Sequence, residues 1–201
     1  MKITAIKQQV KRQDRYSIFV DGAYAFSLSE SGLIESKLAS GQEFDPAQLA
    51  ALKKAAGLDK AYGNALRYVA MRPRSEWELT TYLQRKEVDE AAAKQIIDRL
   101  QAVDLLSDVA FARSWVANRR LLKSVSKRRL LQELRQKHVP VSIIEQALAE
   151  DEADDQDALR ELVAKKRTLT RYQNEPMKLM QYLARQGFSY DDIKSAMREE
   201  D

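Results

Sequence analysis

At 201 residues with 44% hydrophobic positions, the chain is long enough for one domain or two small ones around a buried core. It has no cysteine and one histidine, which excludes disulfide frameworks, thiolate nucleophiles and ordinary Cys/His zinc sites. A formal charge of +4 and a pI near 9.2, with only six glycines and four prolines, point to a helical protein with an acidic partner, either nucleic acid or an acidic protein surface.

No run approaches the roughly 18 apolar residues that a membrane span requires, and the opening MKITAIKQQVKRQ lacks the apolar centre of a signal peptide. A cytoplasmic protein without membrane contact is expected.

Residues 1 to 28 read as β-structure. From Arg15 to Val20, residues Tyr16, Ile18 and Val20 alternate onto one face. Asp21 and Gly22 supply the positive φ angles of a tight turn, and Ala23 to Leu28 returns with Tyr24, Phe26 and Leu28 in register. Ile3 to Val10 adds a third strand, since an isolated hairpin is marginal in water. Ser29 caps a short helix through Leu38, and Ala39, Ser40 and Gly41 break the chain. Asp45, Pro46 and Gln48 then form a capping-box start for a helix running to Gly57.

From Leu58 onward a pattern repeats with a period near 49. Leu79, Leu83 and Val88 align with Leu130, Leu134 and Val139, and again with Leu179, Leu183 and Phe188. Ile96 and Leu100 match Ile144 and Leu148, then Ile193 and Met197. Each copy begins with a longer amphipathic helix, marked by Leu66 and Val69, by Phe111, Trp115 and Val116, and by Leu159, Leu162 and Val163. Ser75 with Glu78, Ser142 with Glu145, Ser189 with Asp192, and Asn174 with Pro176 mark helix starts. The expected fold is mainly α: three tandem three-helix repeats over 58–104, 105–149 and 152–201, preceded by a small β-hairpin and helix unit over 1–56. Units of this size bury little area alone, so neighbours lean on each other or form a row with an exposed concave surface.

The middle repeat concentrates charge. Between Ser107 and Val139, two short apolar stripes are interleaved with Arg113, Arg119, Arg120, Lys123, Lys127, Arg128, Arg129, Arg135 and Lys137, against only Asp108 and Glu133. Nine cations and two carboxylates leave about +7, more than the whole chain carries. Lys127, Arg128 and Arg129 follow Ser126, a candidate N-cap. Three cations thus occupy a first helical turn, where the helix dipole disfavours each by a few tenths to about 1 kcal/mol. The arrangement makes sense if an anion sits there, either a phosphate or a partner's carboxylate.

The remaining motifs have structural readings. His138 occupies a helix end equivalent to Gly187, suited to positive φ rather than to catalysis. Trp77 and Trp115 lie at apolar helix positions and are expected in the core, with base stacking or anchoring of a partner as the alternative. The acidic cluster of Glu150, Asp151, Glu152, Asp154, Asp155 and Asp157 fails the calcium-loop test, because Leu159 and Arg160 fall where an oxygen ligand and a glycine are needed. It reads as a solvated linker in which Asp155 or Asp157 caps the next helix, with pairing to the basic stretch as a further option. No phosphate-binding glycine loop and no nucleophile–base constellation is present. No catalytic residue, cofactor or metal is expected.

The segments RPRSEWEL at 72 to 79, LLSDVAFARSWV at 105 to 116 and KRRLLQELRQKHV at 127 to 139 resemble the RecX family, regulators of the bacterial RecA recombinase. The stretch from Arg15 through the hairpin to Gly41 is similar to the N-terminal extension of longer members, so the resemblance spans nearly the whole chain. It implies a row of three-helix repeats that docks in the groove of the RecA filament on single-stranded DNA. Bridging of protomers there modulates ATP turnover, strand exchange and co-protease activity, mostly by inhibition, without the regulator being an enzyme. The chain departs from the family pattern in having Val125 and Ser126 where Gly-Pro is common, and His138 and Glu87 where Gly is common, all at helix ends. The expected partner is the RecA nucleoprotein filament, with single- or double-stranded DNA as a further contact and the protein acting as a monomer. The nine cations above are the candidate contacts. Two other readings remain open at this point: a stand-alone helix-turn-helix-like DNA-binding module, and a scaffold for another acidic protein.

Overall fold

A computed structural model describes residues 1–122, 124–173 and 175–199, with side chains for all of them except Glu199. The chain is mainly helical and forms two compact units. One comprises Met1–Arg72 and Leu79–Leu105, the other Pro73–Glu78 and the chain from Leu106 onward.

In the first unit, β1 (Ile3–Gln8), β2 (Arg15–Val20) and β3 (Ala23–Ser29) form an antiparallel sheet in that order. The hairpin turns where expected, with Asp21 at φ 49° and Gly22 at φ 83°. Ile3, Ile18, Val20, Phe26 and Leu28 are buried. Tyr24, expected on the same face, is exposed instead. A register shift after Ile18 sets it opposite Phe19, and the rings meet edge-on at 6.1 Å.

Ser29 caps α1 (Glu30–Ser36), accepting from the Gly32 N–H, and the helix closes at Lys37 with φ 50°. Asp45 and Gln48 make the reciprocal capping box of α2 (Pro46–Ala70). That helix does not stop at Gly57. Leu49 and Ala56 before the glycine and Ala65 and Val69 after it are buried, the two pairs on opposite sides of the helix, and their burial offsets the roughly 1 kcal/mol that a mid-helix glycine costs relative to alanine. Arg15, nearly inaccessible, ties the sheet to α2: its guanidinium lies 3.0 Å from Asp59 and donates to the Ser27 carbonyl at 3.0 Å. Asp59 also accepts from the N–H and hydroxyl of Ser29. The helices α3 (Glu76–Arg85) and α4 (Glu90–Ala102) follow, the first turn of α3 belonging to the second unit.

The second unit holds α5 (Asp108–Leu122), α6 (Lys127–Gln136), α7 (Val141–Ala149), α8 (Asp155–Arg167), a one-turn α9 (Thr170–Gln173), α10 (Pro176–Arg185) and α11 (Tyr190–Glu199). Three three-helix repeats therefore follow the sheet. Leu79 and Leu83, Leu130 and Leu134, and Leu179 and Leu183 are all essentially inaccessible, as are Ile96, Ile144 and Ile193. The second helix of each repeat ends alike, with Glu87 at φ 57°, His138 at 55° and Gly187 at 94°. The departures from glycine at the first two positions thus leave the helix-end geometry intact.

Two capping expectations need correction. Ser142 does not cap α7, which begins one residue earlier behind Pro140 and has no side-chain cap; the fixed φ of proline sets that start. Nor do Asp155 or Asp157 cap α8. Asp154 does, accepting from Gln156 N at 2.6 Å, and so Asp155 is released for another role. The expected start at Asn174 lies outside the described residues.

Candidate functional site

The basic repeat is organised by carboxylates. Around α5 and α6, the buried Glu133 accepts from Trp115 Nε1 at 3.0 Å, from Arg119 Nε at 2.7 Å and from Arg129 Nε at 3.2 Å. Lys137 Nζ reaches the buried Glu78 at 2.7 Å. A carboxylate out of water is tolerable only when such partners satisfy it, so these cations are drawn inward by need.

The acidic linker takes most of the rest. Arg113 makes a two-pronged pair with Glu150 at 2.6 and 2.7 Å. Hydrogen bonding to Arg113 and Gln146 pulls Glu150 below its ordinary pKa, and the same pair holds Arg113 above its own. Arg120, 12% exposed, donates to Asp151 at 2.7 and 2.9 Å, to Asp155 at 2.9 Å and to the Val125 carbonyl at 2.5 Å. Burial works against its charge, yet the bonds to Asp151 and Asp155 outweigh that and keep its pKa raised. Lys127 donates through Nζ to the Asp151 carbonyl at 3.0 Å. Its backbone N–H donates to the Asp155 carboxylate at 2.9 and 3.1 Å. The anion expected at the α6 N-terminus is therefore supplied by the chain itself, and the cluster is no simple solvated linker: Asp151 is 8% exposed.

Among the described residues, Arg128 and Arg135 have no such partner, and both are exposed. Lys123 lies outside the described residues.

These contacts build one joint twice. At each copy a serine before the second helix bonds the carbonyl that closes the next repeat's second helix: Ser75 Oγ to Lys137 O at 3.1 Å, and Ser126 Oγ to Gln186 O at 3.2 Å. The first helical N–H then donates to an aspartate that opens the next repeat's first helix: Glu76 to Asp108 at 2.8 Å, and Lys127 to Asp155. Burial pushes the Asp108 carboxyl up, the Glu76 N–H pulls it down, and the Glu76 charge raises it again, leaving it above its ordinary pKa. The third copy of that N–H position is Pro176, which has none to give. That bond therefore has no counterpart at the third repeat.

Trp77 and Trp115 depart from the core expectation in different degrees. Trp115 packs partly buried against the core with Arg119 and Lys137 over its ring at 4.9 and 5.4 Å. Trp77 is 40% exposed and stacks on His138, centroids 4.5 Å apart and planes 22° from parallel. Sequence reading missed Glu78 and Glu133 as organisers. The signal available was the joint itself, since Ser75 and Ser126 stand at equivalent positions of the repeat.

An array of short helical repeats, jointed by serines and aspartates and surfaced with arginine, is the architecture of an interaction protein. The comparisons with known proteins are more specific. Models of the RecX family match four segments: the regulatory protein RecX N-terminal domain at 1–45, and the first, second and third three-helix domains at 61–100, 107–148 and 153–197. The chain is 34% identical over its full length to regulatory protein RecX of Oceanobacillus iheyensis, covering 77% of that protein. It is 36% identical over 92% of its length to that of Levilactobacillus brevis, covering 69% of it. A crystal structure of regulatory protein RecX superposes with a TM-score of 0.72 at 32% identity, over 96% of this chain and 98% of that one. RecX from Lactobacillus salivarius gives 0.59 at 26% identity, over 71% and 95%. The chain belongs to the RecX family of regulatory proteins. Among the described residues, no helix is long and apolar enough to cross a membrane.

Proposed function

We propose that the protein is a monomeric, cytoplasmic, non-enzymatic regulator that binds the groove of the RecA filament on single-stranded DNA and modulates its recombinase, ATPase and co-protease activities, mostly by inhibition. Family membership over all four segments is the observation that supports this reading most. The mechanism is steric: repeats spanning neighbouring protomers alter filament stability and deny the groove to duplex DNA or to a repressor substrate.

The contact set comprises Arg113, Arg119, Arg120, Lys123, Lys127, Arg128, Arg129, Arg135 and Lys137, ranked by availability. Arg128 and Arg135 lead, being exposed and unpaired among the described residues. Arg113 and Arg129 follow, with about half their side chains accessible beside their carboxylates. Arg120 is committed internally and acts by holding the linker.

Charge reversal at the two leading positions, Arg128→Glu with Arg135→Glu, touches no internal pair. Inhibition of RecA ATPase should need at least ten times more protein, a loss of about 1.4 kcal/mol or more. Unchanged inhibition by a folded double variant refutes the assignment of the surface. Loss of duplex binding alone, with filament inhibition intact, returns the DNA-binding-module reading.

A further inference from the structure

The two joints differ at one pair of positions. In the first, Trp77 at the second residue of α3 stacks on His138. The equivalents in the second are Arg128, the second residue of α6, and Gly187, which has no side chain. Where the first joint holds a stacked aromatic pair, the second has an open cleft of about 460 Å³, walled by Arg128, Arg129, Gln132, Tyr182, Arg185 and Gly187. Both Arg128 and Arg185 are exposed and lack partners among the described residues.

We propose that this cleft binds a nucleotide unit, with its phosphate held between Arg128 and Arg185 and its base laid against the flat face of the Arg128 guanidinium. The proposal rests on the filament reading above and names which component of a nucleoprotein filament the seam between α6 and α10 takes. Charge decides the phosphate: three guanidinium groups line the cleft and, among the described residues, only Arg129 has a carboxylate partner, Glu133 at 3.2 Å. Shape decides the base. Gly187 leaves no room for a side chain, its Cβ direction being closed by Ser126 Oγ and Arg129, but the cleft opens beside the exposed Arg128, whose guanidinium offers a flat cationic face at the position that Trp77 holds in the sister joint. Gln132 adds an amide able to donate to and accept from a base edge. Neither feature depends on the α6 N-terminal N–H groups, since Lys127 N and Arg129 N are already satisfied by Asp155 and Ser126.

The shared chemistry, a phosphorylated nucleoside, has two sources, a free nucleotide or a strand. Fluorescence anisotropy on the full chain separates them, using a labelled single-stranded oligonucleotide, a labelled mononucleotide and inorganic phosphate as competitor, all without RecA. The double variant Arg128→Ala with Arg185→Ala should weaken oligonucleotide binding at least tenfold, while Arg135→Ala, on the same helix outside the cleft, weakens it about twofold. Saturable mononucleotide binding that is lost in the double variant supports the free nucleotide as ligand. Binding of the oligonucleotide alone, lost in the same way, supports the strand. Equal losses from the double variant and from Arg135→Ala would mean diffuse charge attraction and overturn the site, as would displacement by inorganic phosphate as effective as by nucleotide. Should the double variant lose filament inhibition yet keep oligonucleotide binding, the cleft reads protein and this inference fails while the filament reading stands. Oligonucleotide binding through the cleft without filament inhibition has the opposite meaning.

Discussion

Replacing Gly187 by alanine tests whether the joint between the second and third repeats is as tight as its geometry implies. At φ 94° the new side chain meets the left-handed penalty of about 1–2 kcal/mol. Its Cβ would stand 2.8 Å from Arg129 Cβ and 3.0 Å from Arg129 N, and closer still to Ser126 Oγ. Two of those atoms belong to the helix backbone region and cannot swing aside, so overpacking adds about 1–3 kcal/mol. Ser126 Oγ is also the N-cap of α6, accepting from Arg129 N at 3.2 Å, and displacing it costs about 1 kcal/mol more. The expected loss is about 3–5 kcal/mol in all, since the terms overlap. Guanidinium unfolding followed by tryptophan fluorescence reads it, because Trp77 and Trp115 both lie in the second unit. His138→Gly is the paired control. It relieves about 1 kcal/mol of left-handed strain and forfeits a ring stack of about 0.5–1.5 kcal/mol, so it should be close to neutral. A Gly187→Ala protein within about 0.5 kcal/mol of wild type refutes the argument, because any one of the three terms alone exceeds that.

Arg15→Ala strands the Asp59 carboxylate and should cost about 3–5 kcal/mol in thermal unfolding followed by circular dichroism; replacing Arg15 by methionine together with Asp59 by leucine should cost clearly less. A single-mutant loss under 1 kcal/mol contradicts the buried-pair reading. Carboxyl titration by nuclear magnetic resonance should show Asp108 titrating above the ordinary aspartate value of 3.8 and Glu150 below the ordinary glutamate value of 4.5. In sign, the depressed Glu150 supports the fold above its ordinary pKa and loses that contribution as pH falls through its folded value. The raised Asp108 contributes below its ordinary pKa and loses that contribution as pH rises through its folded value. An Asp108 midpoint at or below 3.8 would reject the first environment, and a Glu150 midpoint at or above 4.5 the second.

How much of this was legible beforehand differs by element. The hairpin was readable because Asp21 and Gly22 are local turn chemistry and Ile18, Val20, Phe26 and Leu28 alternate. The repeats were readable because three leucine pairs recur at one spacing. The end of α2 is not legible locally, since Gly57 is a breaker only where nothing else holds the helix, and buried residues on both sides of it, Leu49 and Ala56 before and Ala65 and Val69 after, hold it. Ser142 was misread for a similar reason: its spacing to Glu145 is right, but Pro140 starts the helix first. The basic stretch was seen correctly as an anomaly. Its expected anion, however, turned out to be Asp155, which lies 28 residues beyond Lys127.

By itself, then, the sequence determined the helices, their repeat and the left-handed closure at His138 and Gly187, because hydrophobic period and helix-end chemistry of that kind are properties of a few neighbouring residues. Only the tertiary structure decided which charges are committed. Arg120 meets Asp151 and Asp155 from 31 and 35 residues away, and Lys137 meets Glu78 from 59. A count of cations along the chain cannot distinguish a guanidinium neutralised by such a partner from one left facing solvent. That distinction separates Arg120 from Arg128, and with it the part of the surface that holds the molecule together from the part that meets something else.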